Sequence, residues 1–266
     1  MKVAAFTALA VVGSRLTDPD LVLLPFLAEH RLALPTHVAT LLGTSTAAAT
    51  TRLNRLTDAG FLKRHAPFPS ERRWYQISRK GLAIIGSDLQ APGVDLREYA
   101  HDVGIAWLWL AARGGTFGPL EEIIGERRLR SLDGARDRDV EPLGVRLGGF
   151  GPHGREKLHY PDLVLRTADG RRVALELELT PKTRTRLETI LAGYGADPRF
   201  DGVVYLVDRP AVARSVQSAA RRLGISELVR IQRVRSTVSR NASTAALAAD
   251  RTATVRRSPR SPEVAR

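Results

Sequence analysis

The sequence predicts an α+β chain of two domains, a helical unit with a basic strand pair followed by a mixed α/β unit, and a basic tail. Three observations predict it. Helix-period segments joined by a tight glycine-containing turn fill residues 17–60 and lead into two short basic strands. From residue 95 to 234, helix-like and strand-like segments follow one another in the order αβββαβ. From Ser236 onward the chain is Ser, Thr, Ala, Arg and Pro without aromatics, a composition that cannot bury enough apolar surface to order itself. The boundaries are therefore 1–88, 89–234 and a disordered 235–266.

Composition narrows the function. The 266 residues contain no cysteine, which excludes disulfides, thiolate metal sites and a cysteine nucleophile and suits a reducing cytoplasm. The net charge of +13 calls for a polyanionic partner, DNA above all. Its distribution is uneven: net +5 over 1–90, +3 over 91–234 and +5 over 235–266. The two ends are the electrostatic grips. No long basic amphipathic helix accompanies the charge and no run approaches the ~20 apolar residues that span a bilayer, so no membrane role is expected. Met1-Lys2 ahead of Val3 to Val12 only faintly resembles a secretory leader, with one cationic residue, and the chain is read as cytoplasmic.

In the first unit, Thr17 or Asp18 caps a helix through Leu21, Leu24 and Leu27 to His30, with Pro19 near its first turn. Pro25 is expected to kink or end that helix. A second helix starts at Pro35-Thr36 and stops at Gly43, and a third runs from Thr44 or Ser45 to Gly60 with Ala49, Leu53 and Leu56 inward. Phe61 to Arg64 and Arg72 to Ile77, separated by a tip with Pro67, Pro69 and Ser70, form a β-wing, with a short helix over Lys80 to Ile85. Helix-turn-helix plus basic wing is a winged helix, a module that mostly binds duplex DNA. Its third helix presents Thr46, Thr50, Thr51, Asn54 and Arg55. The small polar residues suit base edges and Arg55 suits phosphate. On the wing, Lys63, Arg64, Arg72 and Arg73 supply backbone contacts. The bland alternative is a solvated helix face on a winged helix that contacts protein.

Residues 86–94, with Gly86, Pro92 and Gly93, read as a linker. A helix over Asp95 to Ala112 buries Leu96, Tyr99, Val103, Trp107 and Leu110, and Pro119 to Ile124 is a strand. Arg127 to Gly154, rich in Gly and Arg, is expected to lack order. Leu163–Leu165 and Val173–Leu179 form two strands about an Asp169-Gly170 turn. A helix over Thr183 to Tyr194, a buried strand Gly202 to Val207, a helix Pro210 to Leu223 and a strand Val229 to Val234 complete the unit.

The chemistry-bearing stretch is His159 to Lys182. Alternation puts Glu176 and Glu178 on one face of the second hairpin strand, and an antiparallel partner brings Asp162 near Glu176. Carboxylates gathered on a sheet edge are a way to build a divalent-metal site for phosphodiester chemistry. Glu98 and Asp102 lie one turn apart on one helix face, while His101 reads as an ordinary surface or core histidine. The bland reading of the cluster is a binding or oligomerisation platform with vestigial carboxylates. No Walker loop is present, nor a tyrosine pair beside a histidine triad.

With Pro161-Asp162 and Glu176-x-Glu178 on its hairpin, the αβββαβ order resembles the core of the PD-(D/E)XK nuclease fold. The N-terminal LTDPDLVLLPFLAEHRLALPTHVATLL, RRWYQISRKG, the His101-bearing helix and YPDLVL…VALELELTPKTRTRL, in that order, resemble the replication-relaxation family of actinobacterial plasmids and integrated elements over roughly residues 15–234. That resemblance implies a role in plasmid replication or DNA relaxation. Carried over from the nuclease fold, Asp162 and Glu176 would be ligands of Mg²⁺ (or Mn²⁺). Glu178 stands where the fold has its water-orienting lysine and would assist water attack itself, as the resemblance to some restriction-type enzymes of the fold implies, or Lys182 would reach back from the helix start in its place. Arg184 and Arg186 would hold phosphate.

Three functions follow. The first is a DNA-binding replication or maintenance factor acting without catalysis. The second is a metal-dependent endonuclease positioned by the winged helix, and the third is a transcriptional regulator whose second domain forms a homodimer.

Overall fold

The computed structural model describes residues 16–66, 73–137 and 139–234. The leader-like start, the wing tip with Arg72 and the basic tail lie outside them. Among the described residues the fold is mixed α+β, with eight α-helices and nine strands, and no helix is long and apolar enough to cross a membrane.

Helix α1 (Asp18–Glu29) opens with a capping box in which the Thr17 N–H donates to Asp20 Oδ2 at 2.8 Å. Pro25 neither ends nor divides it. The proline and Leu21, whose carbonyl loses its partner, both lie on the exposed face, where water can serve that carbonyl. Helix α2 (Pro35–Leu42) ends at Gly43, whose φ of +60° is the left-handed conformation glycine adopts without strain. Helix α3 (Thr46–Asp58) starts under Ser45, whose Oγ accepts the Ala48 N–H at 3.2 Å. Ala49, Leu53 and Leu56 are fully buried, as their spacing predicts. Strands β1 (Leu62–His65) and β2 (Trp74–Ile77) pair antiparallel, and Ala33 adds a bridge to Tyr75. Helix α4 (Arg79–Ile84) closes the unit. This is a helix-turn-helix with a β-wing.

The expected linker is packed instead. Leu89 joins the first core, the Pro92 carbonyl accepts from Gln76 Nε2 at 3.2 Å, and Asp88 pairs with Arg128 at 2.6 Å. Polarity and Gly/Pro content signal a free segment; one buried leucine and a few backbone contacts hold it down.

Helix α5 (Tyr99–Arg113) is buried on two sides. Val103, Ala106 and Leu110 pack with the winged-helix cores, while Leu108 and Ala112 pack on the sheet. Leu96, expected inside, is exposed because a 3-10 turn over Leu96–Glu98 precedes the helix and changes its phase. The sheet runs β3-β6-β7-β8-β9: β3 (Leu120–Gly125), β6 (Leu163–Thr167) and β7 (Arg172–Glu178) are antiparallel neighbours, then β8 (Gly202–Val207) and β9 (Val229–Arg233) run parallel to β7. Helices α7 (Arg184–Ala196) and α8 (Pro210–Arg222) make the crossovers that parallel pairing demands. Alternation sorts the hairpin strands as predicted: Leu163, Leu165, Leu175 and Leu177 face α5, while Val164 and Ala174 share a core with α7 and α8.

The described residues of the stretch 127–154, expected to be of low order, are folded. It forms α6 (Glu126–Gly134) and, with the residues after it, the hairpin β4 (Val145–Phe150) and β5 (Glu156–His159). Leu129 and Val145 are fully buried in the second core, and Asp133 accepts from the Leu143 and Gly144 amides at 2.8 and 3.0 Å. Few apolar residues suffice when each is completely buried.

Candidate functional site

Two sets of residues stand out in the sequence, and the fold treats them differently. On the winged helix, Thr46, Thr51, Arg55, Lys63, Arg64 and Arg73 are exposed, and Thr50 and Asn54 are partly so. Thr50 and Thr51 turn their hydroxyls back onto the Thr46 and Ala47 carbonyls at 2.7 and 3.1 Å, which leaves the hydroxyl oxygens as acceptors. Asn54 Oδ1 accepts from Tyr75 OH at 3.0 Å and from Arg64 Nη1 at 3.3 Å. It therefore ties α3 to the wing, and its committed carbonyl leaves it poorly suited to the two-sided adenine contact. Arg55, expected at phosphate, is ion-paired with the fully buried Asp20, which also takes Arg52 at 2.8 Å. Burial pushes the Asp20 carboxyl up, but the Thr17 amide and the two arginines outweigh it and hold it below its ordinary value. Arg72 lies outside the described residues.

The carboxylates of the hairpin are brought together at the C-terminal end of β7. This is the middle of the sheet and not its edge, because the α7 crossover returns β8 alongside β7. Asp162 Oδ2 accepts the Leu177 amide at 2.7 Å and lies 3.2 Å from His101 Nε2. Glu176 is buried, with Oε1 2.6 Å from His159 Nε2 and bonded by Tyr194 OH. Glu178, also buried, accepts from Lys182, four residues on in the loop before α7. Burial disfavours the His101 imidazolium, but the Asp162 charge and hydrogen bond outweigh burial and raise His101 to about 9. The same contest, decided by Glu176, raises His159. Burial likewise opposes the Asp162 anion, yet His101 and the Leu177 amide leave it below the usual range. Glu178 goes the other way, raised by burial against Lys182.

His101, His159 and Tyr194 are thus members of the site. From the sequence, His101 reads as an ordinary helix histidine and Tyr194 as a core residue. The signal lies in their chain distance from the carboxylates, 61 residues for His101 and 18 for Tyr194, which local pattern cannot bridge. Of the other candidates, Asp102 is buried and meets Arg31 at 3.5 Å, Glu98 is exposed, Arg184 pairs with Glu188 at 3.0 Å, and Arg186 is exposed.

Arg31 belongs to the winged helix, and it also meets Glu126 at 3.1 Å. A cleft of about 30 Å³ opens at this junction, with His30, Arg31, His101, Asp102, Glu126 and Asp162 among its lining. It therefore joins the winged-helix unit to the carboxylate site. Burial raises Asp102 to about 6 in spite of Arg31.

No family model matches the sequence, and no curated protein matches it. Among solved structures the chain is similar to NadR in complex with 4-hydroxyphenylacetate, at 20% identity and a TM-score of 0.24, over 38% of this chain and 64% of that one. It is also similar to a cysteine-to-serine mutant of Lactococcus lactis ZitR in complex with DNA, at 18% and 0.25, over 43% and 73%. A MarR family transcriptional regulator from Silicibacter pomeroyi stands at 20% and 0.24, over 36% and 71%.

Proposed function

We propose that the chain binds duplex DNA through α3 and the β1–β2 wing. One observation carries this reading: the exposed cations Lys63, Arg64 and Arg73 stand on a wing that Arg64 and Asn54 tie to the exposed face of the helix-turn-helix. Positive charge beside a helix of small polar residues matches phosphate anchoring with modest base readout. Replication or relaxation of plasmids and mobile elements is the proposed setting, on the strength of the sequence resemblance. The test is duplex binding across a salt series. Arg64→Ala with Arg73→Ala weakens binding and lowers the slope of log K against log salt by about 2, at ~0.9 per phosphate contact. An unchanged affinity and slope refutes the wing contact.

A second reading, a metal-dependent endonuclease of PD-(D/E)XK type, is favoured by the αβββαβ order and by Asp162, Glu176 and Glu178 at the end of β7. As arranged, the donor set does not fit a resident Mg²⁺ or Mn²⁺. Asp162, Glu176 and Glu178 are each answered by a histidine or lysine, and among the described residues no group of three or more His, Asp or Glu is placed to hold a metal ion. Histidine pairing supplies the positive charge that hard oxygen ligands would otherwise seek. The nuclease reading therefore requires both histidine pairs to open. Nicking of supercoiled plasmid with Mg²⁺ or Mn²⁺, lost in Asp162→Ala and in Glu176→Ala, supports it; no nicking by the wild type across metals refutes it.

A further inference from the structure

The near-balance of charge over residues 91–234 hides a division. Residues 91–208 hold 17 basic and 19 acidic residues, a net of −2, whereas 209–233 hold six arginines against one acidic residue, Glu227, a net of +5. The basic share is α8, the loop after it and β9. Helix α8 buries Val212, Val216 and Ala219, spaced i, i+4, i+7, in the second core. Arg214 and Arg221 fall half a turn from that stripe, so they stand on the outward face of the helix, two turns or about 10 Å apart. Both are exposed, and neither meets a carboxylate among the described residues. Arg222, on the flank of the helix, is different, because it pairs with Glu188 of α7 at 2.7 Å.

The edge strand continues the charge. Glu178, Val207 and Arg233 lie in one row across β7, β8 and β9, and residues level with one another in a sheet point to the same face. Arg233 therefore stands on the face that carries Glu178 and α8, two strand spacings or about 10 Å from that carboxylate. It is exposed and has no carboxylate partner among the described residues. Arg209 lies at the same end of the sheet, two residues past Val207, exposed and 3.9 Å from its neighbour Asp208. Arg230, level with Val204, points to the α5 face instead. Arginines thus run from the carboxylate end of the sheet along the outside of α8. Their chemistry selects the partner. A guanidinium fork matches phosphate through paired donors. The exposed large hydrophobics among the described residues all lie outside 209–233. The surface therefore lacks the aromatic anchors of a protein interface and the apolar face with which a helix enters a membrane. Positive charge without such anchors suits the backbone of a nucleic acid.

We propose that Arg209, Arg214, Arg221 and Arg233 form a second DNA-binding surface, which holds the phosphate backbone of duplex DNA without reading its bases. The surface deepens the DNA-binding reading, on which it rests, by giving the second unit a grip on DNA separate from the wing.

The test follows duplex binding by the full chain through fluorescence anisotropy across a salt series, on two duplexes of unrelated sequence. Arg214→Gln with Arg221→Gln lowers the slope of log K against log salt by about 2, at ~0.9 per phosphate contact, and by the same amount on both duplexes. Neither side chain bonds another group among the described residues, so the thermal melt stays at the wild-type value. Arg221→Gln alone lowers the slope by about 0.9, while Arg230→Gln, which removes one charge from the other face of the sheet, leaves slope and affinity unchanged. Unchanged binding in the double variant overturns the proposal. An equal loss in Arg221→Gln and Arg230→Gln also overturns it, because net charge alone then accounts for the effect. Loss of binding to phosphatidylserine vesicles in the double variant, with duplex binding unchanged, assigns the surface to an anionic membrane and overturns the DNA contact. Wing and α8 surface fail separately. If Arg64→Ala/Arg73→Ala loses duplex binding and Arg214→Gln/Arg221→Gln does not, the winged-helix reading survives alone. The reverse result upholds the α8 surface and refutes the wing.

Discussion

His101 Nε2 lies 3.2 Å from Asp162 Oδ2, so the helix shared by both units is locked to the mouth of β6 by an ion pair. His101 is raised from 6.5 to about 9, so its contribution is complete below pH ~6.5 and is lost as pH rises through ~9. Asp162 is lowered, so its share is present above its ordinary value near 4 and is lost as pH falls below it. His101→Gln leaves a mostly buried carboxylate without its cation and costs about 3 kcal/mol at pH 7. Urea unfolding at pH 7 and pH 10 checks this. The gap between wild type and variant closes at pH 10, and a gap of equal size at both values refutes the pair's role.

An acid limb of opposite origin comes from His30. Burial, with Arg127 nearby, lowers it to about 3, so it folds neutral. Stability is present above pH ~6.5 and falls as pH drops below it, because the unfolded chain binds the proton first. Each such histidine contributes a slope of about 1.4 kcal/mol per pH unit. His37, buried with Nδ1 accepting the Leu34 N–H at 3.1 Å, adds a second. Asp102, raised to about 6, works the other way, so the wild-type profile alone mixes signs. The difference between wild type and His30→Leu isolates one slope: it changes by about 1.4 kcal/mol between pH 5.5 and 4.5. A constant difference over that range sinks the assignment.

Legibility tracks how local the determinants are. The Ala49, Leu53, Leu56 face, the Ser45 cap, the Gly43 stop and the Asp169-Gly170 turn each act within a few residues, and all appear where sequence puts them. β7 is legible too, since its alternation is strict. What escapes reading depends on contacts across the chain. Leu129 is one buried residue in a charged helix with no apolar stripe to announce it. His101 meets Asp162, and Arg55, though exposed, pairs with Asp20, because of tertiary placement. Pro25 does not end α1, since the rule against helix proline weakens on a water-facing side.

The packing of α5 predicts where the chain can be cut. Val103, Ala106 and Leu110 complete the winged-helix cores, and Leu89 lies beyond residue 88 yet inside them. A fragment ending at residue 88 loses that cover and exposes a contiguous apolar face, whereas one ending at residue 113 keeps it. In thermal melts the shorter fragment unfolds well below the longer one or aggregates. In the full chain, circular dichroism and fluorescence of Trp74, Trp107 and Trp109 report one transition. Two separated transitions, or equal stability of the fragments, contradict a shared core.

Asp20 sets a stability cost against DNA affinity. It is fully buried and holds Arg52 and Arg55 of α3 against the start of α1. Asp20→Asn keeps the Thr17 contact but removes the charge that the two partly exposed arginines bond, and costs about 2 kcal/mol. Its binding effect has the opposite sign. Arg55, half-exposed and no longer drawn inward, becomes available to phosphate, so duplex affinity at low salt rises and the log–log salt slope steepens by about 0.9 for the added contact. Asp20→Asn with Arg55→Ala abolishes the gain while keeping the instability. Fluorescence anisotropy across a salt series, paired with urea melts of the three proteins, separates the effects. If affinity falls in step with stability in Asp20→Asn, Arg55 is a structural strut only.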